Sequence, residues 1–150
     1  MKIARISVWL SSLLFASFGL AFFFWPTRMA GLVEIQLPGA TATNDFRATY
    51  GGWEIGLALF FACCARHDQW LKPALLAQVC SLAGFALTRA AGCFLDGQPK
   101  PIIFALMLAE LSGCALGIWA WRRLNADQNA ALAHTIATAK VSPKNEVARR

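Results

Sequence analysis

Charge is what this chain has least of. Only 15% of its 150 residues are Asp, Glu, Lys or Arg, while 57% are hydrophobic; an ordinary soluble domain carries about 25% charged residues. The shortfall argues against a water-soluble globule, because four core helices in water would each need a polar stripe, and the first apolar run offers only Ser7, Ser11, Ser12 and Ser17. Histidine is nearly missing as well. His67 and His134 fall in a loop and in the C-terminal tail, so the commonest metal ligand is absent from the apolar runs. Cys63, Cys64, Cys80, Cys93 and Cys114 lie in or beside those runs without a C-x-x-C or Cys/His spacing, which argues against zinc or thiol redox work. They read as small hydrophobic packing groups, with Cys93, nearest the outer side, the one open to oxidation. No metal and no cofactor is expected. The net charge of +6 comes from short flanks and a tail rather than from a basic stripe, which argues against a nucleic-acid partner.

What is present is apolar length. Four runs, Ile6 to Trp25, Phe46 to Cys64, Leu71 to Leu95 and Pro101 to Trp121, each approach the roughly 20 residues that cross a bilayer core of about 30 Å. They are separated by a segment with Pro26, Pro38 and Gly39, by "RHDQW", and by "DGQPK" with Gly97 and Pro99, all breaker compositions. Lys2 and Arg5 precede the first run as they would in a signal peptide. Its apolar core is longer than an h-region of about 7 to 15 residues and it ends at Trp25-Pro26, with no small-residue cleavage site, so it reads as a retained helix.

Lys2, Arg5, Arg66, Lys72, Arg122 and Arg123 gather on one side of these runs, and Arg28, Arg47 and Lys100 on the other. The excess places both termini in the cytoplasm. Trp9, Trp25, Trp70, Trp119 and Trp121 lie near predicted helix ends, as an interfacial aromatic belt would. The expected architecture is an all-α integral membrane four-helix bundle, N-in/C-in, over residues 1–122, with a short polar, basic cytoplasmic tail over residues 123–150. That tail reads as helical from Ala126 to Lys140 and then frayed. Lys140, Lys144, Arg149 and Arg150 are open to anionic lipid, at about 1 kcal/mol per charge near the surface, though a solvated tail explains them as well.

Ionisable residues inside the runs are costly and so face the bundle interior or one another. They are Glu54, Arg89 and Glu110, with Arg47 and Asp96 at helix ends. At 1.5 Å per residue, Glu54 and Glu110 lie roughly 12 Å, and Arg89 about 9 Å, from the outer ends of their helices. Spacing adds a facing. Arg47, Tyr50, Gly51, Glu54 and Ala58 share one α-helical stripe, Gln78, Ser81, Phe85, Arg89 and Gly92 a second, and Ile103, Met107, Glu110, Cys114 and Gly117 a third. The candidate polar site is therefore Arg47, Tyr50, Glu54, Arg89, Asp96 and Glu110. Asn44 or Asp45 would cap the second helix, and Arg47 would reach the headgroups by snorkelling. Gly52/Gly56 and Gly113/Gly117 form G-x-x-x-G pairs, read as tight packing within the bundle before dimerisation.

The motifs "NDFRATYGG" (Asn44 to Gly52), Thr88-Arg89, "DGQP" (Asp96 to Pro99) and the mid-helix Glu110 together resemble the DUF4345 family of small bacterial four-helix membrane proteins, over about residues 5 to 122. A looser likeness is to DoxX-type proteins. The resemblance implies a multi-pass inner-membrane bundle without an established activity. One departure is Thr88, where the family is expected to have a small Gly, which leaves the local packing of the third helix in question.

Three functions compete, and the residues do not decide whether the chain is an enzyme. A structural or accessory role uses the Glu/Arg/Glu cluster to fix helix register, since breaking a buried pair costs about 3–5 kcal/mol. Alternatively, the cluster binds or transforms a small lipophilic molecule in an outer-leaflet pocket, with Glu54 or Glu110 exchanging a proton and Tyr50 positioning the ligand. Transport of a proton or small solute comes last, because no inverted repeat or broken helix is visible. The partners admitted are the lipid bilayer, a lipophilic small molecule, and a second copy of the chain or a membrane partner protein.

Overall fold

A computed structural model of the protein describes the backbone of residues 1–147 and side chains through residue 138. Among the described residues every regular element is helical. In chain order these are α1 (Lys2–Phe24), α2 (Pro26–Leu32), α3 (Ala40–Phe46), a π-helical segment (Arg47–Gly52), α4 (Trp53–Cys64), a 3-10 turn (Asp68–Trp70), α5 (Leu71–Leu95) and α6 (Pro101–Val147). The helices that include α1, α5 and α6 are long and apolar enough to cross a membrane.

The bundle is inside-out by the standard of a soluble protein. On α1 the buried stripe is Ala4, Ser7, Val8, Ser11, Ser12, Phe15 and Gly19, mostly small or polar, at the i, i+3, i+4 spacing of one helix face. The outward face carries Ile6, Leu10, Leu13, Leu20 and Phe24. Large apolar groups outside and small groups inside suit a lipid surround, where close packing rather than hydrophobicity draws helices together. The buried serines are satisfied by other helices. Ser12 Oγ donates to Ala58 O at 2.8 Å, and Ser7 Oγ donates to Gln78 Oε1 at 3.1 Å. Gln78 Nε2 then donates to Gly113 O at 3.0 Å, so one amide ties α1, α5 and α6.

Glycines bring these helices together at two places. A Cβ on Gly19 would stand 2.8 Å from Ile55 N, and one on Gly51 would stand 3.1 Å from Phe23 N, so α1 meets the π segment and α4 backbone to backbone. A Cβ on Gly117 would stand 2.8 Å from Val79 Cγ2, the corresponding approach of α6 to α5. Gly56, by contrast, has open space where its Cβ would be. The Gly113/Gly117 pair thus packs inside the bundle, while Gly52/Gly56 lies off its contact faces. Phe15 stacks on Phe61 at 5.6 Å to complete the α1–α4 seam.

Helix α5 has the expected bounds, but its neighbours differ from expectation. The second long helix begins at Ala40 rather than near Phe46, directly after Pro38 and an extended Gly39. Asn44 and Asp45 therefore lie within a helix and cap nothing. Arg47 does not snorkel freely: its Nε donates to Phe23 O at 3.1 Å, satisfying a carbonyl of the last turn of α1. Helix α6 continues past Trp121 and through the whole of Ala126 to Lys140, because the Ala-rich sequence there favours helix and holds no breaker. The basic side chains of Lys140, Lys144, Arg149 and Arg150 lie outside the described residues. Thr88 points outward, and its Oγ1 donates to Gly84 O at 2.8 Å on its own helix, so it does not disturb the packing of α5.

Ion pairs mark the two ends. The Met1 amine meets Asp127, and Arg5 meets Asp68; at the opposite end Lys100 meets Glu34 at 2.8 Å. Glu34, at φ 63°, takes the left-handed position that ends α2, where its N–H bonds Gly31 O.

Two glycine substitutions separate backbone contact from open helix surface. Gly19→Ala should lower the thermal stability of the detergent-solubilised protein by about 1–3 kcal/mol through overpacking. Gly56→Ala should leave it unchanged or raise it by up to about 1 kcal/mol; equal losses in both would contradict the described packing.

Candidate functional site

Helix α4 packs along α1, and α5 packs along α6, but α4 and α6 scarcely meet. The gap between the two pairs is a cavity of about 1090 Å³, at or beyond the upper end of the roughly 300–1,000 Å³ of small-molecule pockets. Its walls are Phe15, Phe18 and Phe22 from α1, Phe85 from α5, and Ile103 and Leu106 from α6, with Met29, Leu32 and Ile35 of the α2 segment along one side. The lining is chiefly apolar.

A π segment leads into α4. Trp53 N–H bonds Ala48 O, five residues back, so one residue is added to the turn and everything after it is rotated by roughly 100° relative to an unbroken α-helix. The glycine pair Gly51-Gly52 makes that local widening inexpensive, both being weak α-helix formers. The stripe read from α-helical spacing divides into two sectors, with Gly51 and Ala58 (i, i+7) in one and Tyr50 and Glu54 (i, i+4) in the other. Gly51 and Ala58 face α1, Arg47 reaches the end of α1, and Tyr50 and Glu54 line the cavity. Tyr50 is held by aromatic neighbours, Phe46 at 4.5 Å and Phe22 at 5.7 Å between ring centroids.

Across the cavity, Arg89 Nε donates to Glu110 Oε1 at 2.9 Å, joining α5 to α6. Glu110 is 9% exposed, and its second oxygen, Oε2, is buried without a hydrogen-bond partner. Glu54 Oε2 is buried without one as well, and no described residue pairs with Glu54. Buried polar groups are ordinarily satisfied, so two orphaned carboxylate oxygens on one cavity are unusual. Of the six residues expected at a polar site, Tyr50, Glu54, Arg89 and Glu110 line this cavity. Arg47 is engaged at the end of α1, and Asp96 is exposed at the C-cap of α5.

The aromatic wall and the α2 segment were not singled out from sequence. Phe18 and Phe22 lie within the first apolar run and Phe46 opens the second, with no pattern to set them apart, and nothing in the spacing of Met29 to Ile35 marks it as a cover.

The model of one protein family, described as a domain of unknown function (DUF4345), matches residues 3–121, and the chain belongs to that family. No curated protein and no solved structure matches the chain. The looser DoxX-type likeness is not shown by these comparisons.

Removing Arg89 leaves Glu110 buried with neither oxygen paired. Arg89→Leu should therefore destabilise the solubilised protein by about 3–5 kcal/mol, and Arg89→Leu combined with Glu110→Leu should recover most of that loss. Chemical unfolding of the single and double variants measures it; a double variant as unstable as the single would deny the pair its role.

Proposed function

We propose that this DUF4345 protein is a multi-pass inner-membrane four-helix bundle, with both termini in the cytoplasm, that binds a small lipophilic molecule in the cavity between its two helix pairs. The observation that carries this reading is an apolar cavity with a buried carboxylate, Glu54, that no described residue holds. A bundle serving only to fix register has no use for an unpaired carboxylate in an apolar recess, since buried polar groups are ordinarily satisfied. The Arg89–Glu110 pair favours a structural or accessory role, and it suits that purpose by bridging α5 and α6. It does not account for Glu54.

Membrane topology is supported by length and charge. The helical rod of α3, the π segment and α4 has parts of 7, 6 and 12 residues, about 37 Å at 1.5 Å per residue, enough for a fourth crossing. Arg5 and Asp68 pair at the end where the N-terminal amine meets Asp127, so Lys2, Arg5, Arg66, Lys72, Arg122 and Arg123 gather there, as a cytoplasmic face would have them. The polar tail, residues 123–150, is cytoplasmic in this reading, with α6 running into it as far as Val147. Transport finds no supporting observation beyond the buried carboxylates, and the reading stops at binding.

Native mass spectrometry of protein released from lipid nanodiscs tests it. Wild type should carry a bound small molecule, Ala109→Trp, which fills the cavity, should lose it, and Gly84→Trp, outside the cavity with open space around it, should keep it. A bare wild type, or a molecule retained by Ala109→Trp, would overturn the reading.

A further inference from the structure

We infer that the cavity selects a lipophilic amine, an apolar molecule with one ammonium end; this rests on the cavity being a ligand site. The charged groups of the lining are Glu54, Glu110 and Arg89, which when ionised sum to one net negative charge. The guanidinium charge is matched by Glu110, since its Nε bonds Glu110 Oε1, while its Nη groups make no hydrogen bond among the described residues. The unmatched charge is that of Glu54, and the buried atoms without a hydrogen-bond partner are both acceptors, Glu54 Oε2 and Glu110 Oε2.

Position adds to composition. Glu54 is the lining residue of α3 to α4 farthest from the α2 cover in sequence, and Glu110 is the lining residue farthest along α6 from its start at Pro101. The acidic groups thus end the cavity's run along both helices, while Met29, Leu32 and Ile35 border it elsewhere. A ligand with its polar end at the carboxylates lays its apolar body along the phenylalanines. Tyr50, Phe22 and Phe85 are among the lining residues, and aromatic rings are the apolar surface that best accepts an ammonium and its adjoining methylenes.

Other ligand chemistries fit less of this. A carboxylate or phosphate amphiphile could meet the Nη donors of Arg89, but it would raise the net charge of the lining from one negative to two or more. An alcohol or phenol supplies one O–H donor and no charge. An ammonium supplies three N–H donors and the missing positive charge, and hydrogen bonds with an ionised donor and acceptor are about twice as strong as neutral ones. The selection is local, because the chain as a whole carries +6 and repels cations elsewhere.

The test uses three probes on one skeleton, phenylbutylamine, phenylbutanol and phenylbutyrate, titrated by calorimetry into the full-length protein in zwitterionic phosphatidylcholine nanodiscs. The amine should bind at least about tenfold more tightly than the alcohol, the difference between charged and neutral hydrogen bonds, and phenylbutyrate should bind most weakly. Glu54→Gln should erase the amine's advantage and leave the alcohol within about twofold of wild type. Because Glu54 has no partner to lose, its variant should melt with wild type, and Glu54→Asp should restore part of the preference. Equal affinity for amine and alcohol, stronger binding of phenylbutyrate, or an amine preference that survives Glu54→Gln would overturn the inference. So would no binding of any probe to wild type that still carries a molecule by native mass spectrometry, which sinks the amine class alone. If the wild type is also bare, the cavity reading falls with it.

Discussion

Backbone meets backbone at Gly19 and Gly51, and the rest of the bundle is arranged around that contact. With no side chain on either residue, α1 draws the π segment and α4 tightly to itself, and Ser12 and Phe15 continue the seam below. On its other side α1 is tied through Ser7 to Gln78, and through Gln78 to Gly113 on α6. Helix α1 is thereby the shared wall of two close-packed pairs. Because α4 is held against α1, it cannot also close on α6, and the space left between them is the cavity.

One helical rod presents two sectors to different neighbours. At roughly 100° per residue Gly51 and Ala58 fall about 20° apart, and Tyr50 and Glu54 about 40° apart, so the small residues meet α1 while Tyr50 and Glu54 line the cavity. The π segment at Arg47–Gly52 widens the turn that leads into α4, and π segments recur at functional sites. Contact of the small sector with α1 leaves a carboxylate beside an apolar cavity.

Two acidic residues in one chamber receive different treatment. Glu110 is anchored by Arg89, and its loss would unbalance a buried pair. Glu54 is anchored by nothing among the described residues. In low dielectric an unpaired polar group carries a cost of several kcal/mol unless a partner reaches it, so Glu54 is the group whose energy depends most on what else enters the cavity. The lipid-facing exterior of Ile6, Leu13, Phe24 and Leu87 is ordinary for a membrane bundle. The interior is where this protein departs from plain packing.

The membrane class, the bounds of α5 and the family could be read from residues alone, because hydrophobic length, breakers and the Arg-x-x-Tyr-Gly-Gly and Asp-Gly-x-Pro elements are local properties. The start of the second long helix at Ala40 and the run of α6 beyond Trp121 were less legible, since a helix and a bilayer crossing need not share their ends. Within the site, the identities of Glu54, Arg89 and Glu110 were visible as charges stranded in apolar sequence. Which of them pair was decided only in three dimensions. Periodicity tells which residues share a sector of a helix, but not which neighbour each sector meets. Sequence alone thus determined that this chain carries two acids and one base inside an apolar bundle; tertiary structure alone decided that Arg89 goes to Glu110 and that Glu54 faces the cavity without a partner, because both outcomes depend on the rotation and spacing of helices far apart in the chain.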